Sequence, residues 1–299
     1  MSARTTTWQG RPARLLESPT VRIVAVPSLG GRVVSLLDRR SGREWLVQGE
    51  SPPGDDDSWA ADDAAFGGRE AFGWDECAPT VAPCVDPRDP DGPSLRDHGS
   101  SWGRPIEIIE DPDKIVTAWA DPRWPLHMTR TITVEGATVV ARYAAWTDAG
   151  EPLPMLWSMH ALLALEPGTT LFIEPRVAGR WPVPLEAAGE ASTDTVLPID
   201  AGVSAKLYLP AGDLSRVAAR GVDGAEIRFD WDRAFAPVLG VWLDYGGWPT
   251  DGGRHQVALE PTTSAHDTLE AARRDGSEVS LRPGEVVRWQ VTMELAAPG

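Results

Sequence analysis

Residues 127–146 read His127-Met-Thr-Arg-Thr-Ile-Thr-Val134-Glu-Gly136-Ala-Thr138-Val-Val-Ala-Arg-Tyr-Ala-Ala-Trp146. Two runs rich in β-branched and aromatic residues flank Glu135-Gly136, a dipeptide that turns the chain. In Thr129-Arg-Thr-Ile-Thr-Val134, apolar and polar side chains alternate, as in a strand with one face in a core. The same period returns in Arg288-Trp-Gln-Val-Thr-Met293. Further β-type runs lie at Val21–Val26, Arg32–Leu37, Lys114–Ala120, Thr170–Ile173, Ala205–Leu209 and Glu226–Asp230. Others are Val238–Leu243, Gln256–Glu260, Ser277–Leu281 and Val286–Leu295. Gly and Pro, 29 and 27 of them, are spread along the whole length and break up long helices. Only Thr268–Arg274 and Trp59–Ala65 look helical. The chain therefore reads as all-β, a large antiparallel β-sandwich. No linker or internal repeat interrupts it, so a single domain over residues 1–299 is expected. The loop-rich stretches Ser51–Asp57 and Thr80–Gly103 are long enough to be functional or mobile.

The chain carries 28 basic and 44 acidic side chains, a formal charge of −16. Such an excess opposes a nucleic-acid partner, which needs a basic face, and equally an anionic membrane surface. No apolar run approaches the roughly 20 residues of a membrane-spanning helix. The polar, Arg-rich segment Met1–Leu16 has no secretory h-region, so a cytoplasmic location is expected. Cys77 and Cys84, the only cysteines, make neither a disulfide framework nor a zinc site. A local bridge between them stays open, with two free thiols the expectation for a cytosolic chain. Lys occurs only at Lys114 and Lys206, which reads as genomic composition. Gly99-Ser-Ser-Trp-Gly103 spells Gly-x-Ser-x-Gly but lacks the strand before it and the helix after it that a nucleophile elbow needs. The aromatic composition is lopsided: 14 Trp against 5 Phe and 3 Tyr.

Three segments place polar residues in unusual settings. His98 sits in the Gly-rich turn Arg96-Asp-His-Gly-Ser-Ser-Trp-Gly-Arg-Pro105, close to Trp102. His160 lies inside the apolar run Met155-Leu-Trp-Ser-Met-His-Ala-Leu-Leu-Ala-Leu165. Glu260 ends the apolar strand of Gln256-Val-Ala-Leu-Glu-Pro-Thr-Thr263. Singly, each has a plain explanation: a hydrogen-bonded core histidine, an exposed strand-end glutamate, a loop turn. In this order they resemble the galactose mutarotase-like proteins of the aldose 1-epimerase superfamily. The resemblance runs from Gly30-Gly-Arg-Val-Val-Ser-Leu-Leu37 to Leu281-Arg-Pro-Gly-Glu-Val-Val-Arg-Trp289. Phe72-Gly-Trp-Asp-Glu-Cys-Ala-Pro-Thr80 and Gly240-Val-Trp-Leu-Asp-Tyr-Gly-Gly-Trp-Pro249 look like segments of divergent members.

What the resemblance implies is a large β-sandwich and an isomerase that interconverts sugar anomers. One group removes the O1 proton of a cyclic hemiacetal while another protonates the ring oxygen; the aldehyde rotates and recloses. By motif position, Glu260 is implied as the base and His160 as the acid, with His98 orienting or polarising the reacting oxygen. No metal or other cofactor is called for, and the expected partner is a small carbohydrate. Asp75, Glu76 and Asp244 are candidate acceptors for sugar hydroxyls, and Trp74, Trp102, Trp242 and Trp248 candidate stacking walls. Trp8, Trp45, Trp119, Trp146 and Trp289 read as packing residues. The chain departs from the family at Met159, where Asn is usual, at Leu259-Glu-Pro-Thr262, and in lacking an evident sugar-binding arginine. A catalytic core acting on a sugar other than galactose is expected. A phosphorylated sugar would need clustered arginines such as Arg69, Arg96 and Arg104, which the charge of −16 does not favour. Two other functions fit the residues: a non-catalytic carbohydrate-binding protein, or a glycoside hydrolase or lyase pairing Asp75 or Glu76 with Glu260.

Overall fold

A computed structural model describes residues 1–52, 58–92, 94–121, 123–175, 196–249 and 253–298; positions 53–57 of the Ser51–Asp57 loop lie outside the described residues. In chain order the strands begin with β1 (Ser2–Trp8), β2 (Arg11–Glu17), β3 (Val21–Val26), β4 (Arg32–Asp38), β5 (Arg43–Glu44) and β6 (Trp74–Cys77). Then come β7 (Glu107–Ile109), β8 (Ile115–Ala120), β9 (Leu126–Glu135), β10 (Thr138–Thr147), β11 (Leu153–Met155), β12 (Ser158–Ala164) and β13 (Thr170–Glu174). The last are β14 (Val203–Pro210), β15 (Arg216–Arg220), β16 (Glu226–Trp231), β17 (Val238–Tyr245), β18 (His255–Thr262), β19 (Val279–Leu281) and β20 (Val287–Ala296). Among the described residues the α-helix is α1 (Leu269–Asp275), started by the Thr268 side chain, which accepts the Ala271 N–H, and stopped by left-handed Gly276. Trp59 belongs to a short 3₁₀ turn, Ser58–Ala60, rather than to a longer helix. Among the described residues no helix is long and apolar enough to cross a membrane.

The strands form two large antiparallel sheets. One has the order β1-β2-β3-β4-β6-β12-β18-β17-β14, with β5 beside β4; the other is β13-β15-β16-β20-β10-β9-β8-β7. The alternation in residues 127–146 becomes the β9–β10 hairpin, closed by Glu135↔Thr138 around Gly136-Ala137. Met128, Ile132 and Val134 of β9, and Val139, Ala141, Tyr143 and Ala145 of β10, are buried in one continuous core cluster. Removing that apolar area from water supplies the main favourable energy, about 25 cal/mol for each Å². A two-stranded β11–β19 ladder stands beside the main sheets. Cys77 and Cys84 are buried free thiols.

A second apolar cluster explains why β12 is apolar on both faces. Leu162 of β12 and Ala258 of β18 pack with Val24, Val26, Trp59, Phe66, Phe72 and Trp102. The neighbouring residues Met159, Ala161 and Leu163 point into the main core. Since successive strand side chains face opposite ways, the ten-stranded sheet is covered on both faces near β12. The segments carrying Trp59–Phe72 and Trp102 supply the outer cover, and they leave a cleft against β12, β17, β18 and β14.

Candidate active site

The cleft has a volume of about 290 Å³, and His98, His160, Glu260, Trp242 and Trp248 all line it. Strand register brings most of them together. Ser158↔Thr262 and Leu162↔Ala258 bracket His160 and Glu260, which therefore stand opposite each other on the same face of β12 and β18. Trp242 pairs with Ala258 on one side and Lys206 on the other, so it shares that face.

Glu260 is only 1% exposed. Its Oε2 accepts a hydrogen bond from Lys206 Nζ at 2.8 Å and a longer one from Ser158 Oγ at 3.4 Å. Its other oxygen, Oε1, is buried without a partner among the described residues. Lys206 Nζ also lies 3.4 Å from Asp267 Oδ1, which accepts the Tyr208 hydroxyl at 2.5 Å. Burial pulls the Lys206 ammonium down, but the Glu260 and Asp267 carboxylates outweigh it and hold it above its ordinary range.

The two histidines meet edge to face, ring centroids 5.0 Å apart, with Phe66 stacked on His98 at 4.0 Å. Their surroundings differ. His98 Nδ1 is 2.7 Å from Asp97 Oδ1, and Asp97 Oδ2 accepts the Phe66 N–H at 2.9 Å. Burial raises the Asp97 carboxyl, yet the bonds from His98 and Phe66 prevail and hold it below its usual range. The turn is tight: His98 and Gly99 both have left-handed backbones. A Cβ on Gly99 would come within 2.5 Å of the Ala78 nitrogen, so only glycine fits. Trp102 backs the turn by donating its indole N–H to the Asp97 carbonyl at 2.6 Å.

His160 is 6% exposed and its Nδ1 has no partner among the described residues. Burial, then the nearby His98, Lys206 and Arg32, push it well below the ordinary histidine range. The unfolded chain takes up this proton near pH 6.5, whereas the folded protein does so only at lower pH. The stability contributed by neutral His160 is therefore present above about pH 6.5 and lost as pH falls below it. The urea midpoint is expected to drop less between pH 7 and pH 5.5 in His160→Gln than in the wild type. An equal drop in both proteins would contradict a neutral, buried His160.

The other candidates do not line the cleft. Trp74 and Glu76 point into the sandwich interior, where Glu76 Oε1 accepts the Trp74 indole N–H at 2.9 Å, Tyr143 Oη at 2.9 Å and Arg130 Nη1 at 3.1 Å. Glu76 Oε2 accepts the Trp157 indole N–H at 3.0 Å. Asp75 shares the cleft side of the sheet, since it pairs with His160, but it is buried in an ion pair with Arg32, 2.6 Å from Asp75 Oδ2 to Arg32 Nη2. Trp102 is fully buried beneath Phe66. Asp244 caps the loop after β17, accepting the Gly247 and Trp248 N–H groups, each at 3.1 Å. These five hold the site's frame. Arg96 is spent on the carbonyls of Trp59, Ala61, Gly99 and Trp102, and Arg104 on those of Ala60 and Ser100 and on Asp62. Among the described residues, no arginine lines the cleft.

Several lining groups carried no signal strong enough to single them out in the sequence. Lys206 and Asp267 are two. Gln256 is a third: it is fully buried, lines the cleft, and neither of its amide atoms has a partner among the described residues. Asp97, in the His98 turn, likewise carried none. Among the described residues, no group of three or more His, Cys, Asp and Glu side chains is arranged to hold a metal ion.

No family model matches the chain, and a search of curated proteins finds no match. Solved structures do match it. A galactose mutarotase-related enzyme from Lactobacillus acidophilus is similar with a TM-score of 0.66 and 15% identity, over 95% of this chain and 97% of its own. A galactose mutarotase-like protein from Lactobacillus casei gives 0.67 and 13%, over 95% and 100%. An aldose epimerase homologue from C. elegans gives 0.62 and 14%, over 96% and 100%. With coverage this complete, the pair of large antiparallel sheets has the galactose mutarotase-like β-sandwich fold.

Proposed function

We propose that the cleft interconverts the anomers of a free, uncharged aldose by acid–base ring opening. The observation that carries this reading is the placement of Glu260 Oε1, a carboxylate oxygen without a partner among the described residues, opposite His160 and in one cleft with His98. Glu260 Oε1 takes the proton of the anomeric hydroxyl as the C1–O5 bond breaks, and a proton is delivered to the ring oxygen. The free aldehyde turns about C1–C2 and recloses with the proton transfers reversed.

The surroundings divide the histidines differently from the family resemblance. The donor to the ring oxygen must carry an acidic proton. His160 is held neutral by burial and by the cationic groups near it. His98 has the Asp97 carboxylate at 2.7 Å from Nδ1 to orient the ring and compensate a positive charge on it. His98 is therefore assigned as the donor, and neutral His160 as a hydrogen-bonding group that polarises the ring oxygen.

The lining favours an uncharged sugar. Lys206 is paired with two carboxylates, and Arg96 and Arg104 are consumed by backbone carbonyls and Asp62. Among the described residues, a phosphate would meet no guanidinium in the lining. The amide of Gln256 offers both a donor and an acceptor to sugar hydroxyls, and leaving it unmatched is costly. Trp242 and Trp248 meet edge to face at 6.0 Å and present apolar area to the C–H face of a pyranose. The hydrolase pairing of Asp75 or Glu76 with Glu260 is disfavoured, because both are bound in buried ion pairs.

The direct test is exchange NMR or polarimetry on a panel of freshly dissolved aldoses, with faster approach to anomeric equilibrium as the expected result. Binding without acceleration would favour a carbohydrate-binding role, and bond cleavage a hydrolase. Trp248→Ala removes one wall and is expected to weaken sugar binding roughly tenfold by calorimetry, corresponding to about 1.4 kcal/mol. Unchanged affinity would remove Trp248 from the sugar site.

A further inference from the structure

Lys206 carries no signal in the sequence, yet it lines the cleft with its ammonium between the Glu260 and Asp267 carboxylates. It stands on β14 opposite Trp242, and its Nζ is 2.8 Å from Glu260 Oε2. The Glu260 side chain is 1% exposed and the Lys206 side chain 19%. Burial of a carboxyl favours its uncharged form, and an opposite charge within reach favours the carboxylate. The contact also divides the labour of the two oxygens: Oε2 is tied, and Oε1 is left without a partner among the described residues.

The neighbouring strand makes room for this arrangement. Gly240 lies between Tyr208 and Glu260 in the β14–β17–β18 register. A Cβ there would sit 3.2 Å from Glu260 Oε2 and 3.3 Å from Tyr208 Cε1, crowding the carboxylate. Asp267 and Tyr208 hold Lys206 from the far side, with Nζ 3.4 Å from Asp267 Oδ1 and the tyrosine hydroxyl on that same oxygen. Among the described residues, the other titratable groups near Glu260 are His160 on β12, Cys77 and the Arg32-paired Asp75 on β6, and His98 in its turn.

We propose that Lys206 is the positioning residue for the general base: it fixes the Glu260 carboxylate through Oε2 and keeps it charged, leaving Oε1 to take the anomeric proton. This rests on the mutarotase reading for its chemistry and on the ion pair for its geometry. Schiff-base chemistry by Lys206 is disfavoured, because both carboxylates stabilise the protonated amine, which is not nucleophilic.

The test reads Glu260 directly. In the full-length protein with ¹³C-labelled glutamate, the Glu260 carboxyl signal, assigned by its absence in Glu260→Gln, is titrated in wild type, Lys206→Met and Lys206→Arg. Removing an opposite charge this close is expected to move the titration of the Glu260 signal to higher pH in Lys206→Met, with Lys206→Arg near wild type. The acid limb of kcat/KM should move up in parallel, with kcat at neutral pH falling more than KM rises. Lys206→Gln, which keeps a neutral donor, provides the same readings if Lys206→Met does not fold. An unmoved midpoint and an unmoved acid limb overturn the proposal. A moved midpoint in a protein without anomerase activity upholds the ion-pair role and sinks the mutarotase reading; activity with an unmoved midpoint does the reverse.

Discussion

Glu260→Gln is expected to lower kcat for anomer interconversion by about 10²–10⁴-fold, the range that a positioned acid or base contributes. The substitution keeps the side-chain volume and planar shape, so the β17–β18 pairing that carries it has no reason to change. What it removes is basicity at Oε1, the oxygen that no described residue occupies. The amide oxygen still accepts from Lys206, so the cleft should stay formed and KM should change only a few-fold. That split distinguishes loss of proton transfer from loss of binding, because a group acting only in the transition state lowers kcat and kcat/KM together. Exchange NMR at saturating sugar gives kcat, and calorimetry gives affinity. Glu260→Gln within a factor of three of wild-type kcat would remove Glu260 from the chemistry and leave the cleft as a binding site.

The hairpin at 127–146 was legible because one of its faces meets a core and the other does not, which imprints period two on the sequence. The edge strand β1 lacks that imprint. Its seven residues are all exposed or half-exposed, so no apolar face marks Ser2–Trp8 as a strand. The order of His98, His160 and Glu260 was legible as motifs, and register places the latter two opposite each other. The buried setting of Trp74, Asp75 and Glu76 was not legible, for a definite reason. A short polar strand with two carboxylates looks like a ligand-facing loop until their cationic partners are known. Those partners, Arg32 and Arg130, lie 43 and 54 positions away. Lys206 is likewise unremarkable without Glu260, 54 residues further on, to give its charge a purpose. Periodicity reports burial; it does not report which distant charge a buried group answers.

The interior carboxylate is where the largest effect on stability is expected. Glu76 and Arg130 are each about 2% exposed at the side chain and join β6 of one sheet to β9 of the other. Tyr143, Trp74 and Trp157 donate to the same carboxylate, and Arg130 also donates to the Gly31 carbonyl. Burial pushes the Glu76 carboxyl up to about 7, against the opposing pull of Arg130, Tyr143 and Trp157. Glu76→Ala leaves a buried guanidinium uncompensated and three donors without an acceptor, and is expected to cost about 3–5 kcal/mol in urea unfolding. Removing both charges should cost less than removing one. In Glu76→Met with Arg130→Met, no charge is stranded, so the double variant is expected to be more stable than Glu76→Met alone. The frame then feeds the cleft, because β6 pairs with β12 through Ser158↔Cys77 and His160↔Asp75. A loosened β6 would misplace His160 before the protein unfolds, so Glu76→Met should lose the proposed anomerase activity at urea concentrations below its unfolding midpoint. Coincident loss of activity and of structure would show that β6 does not set the position of His160.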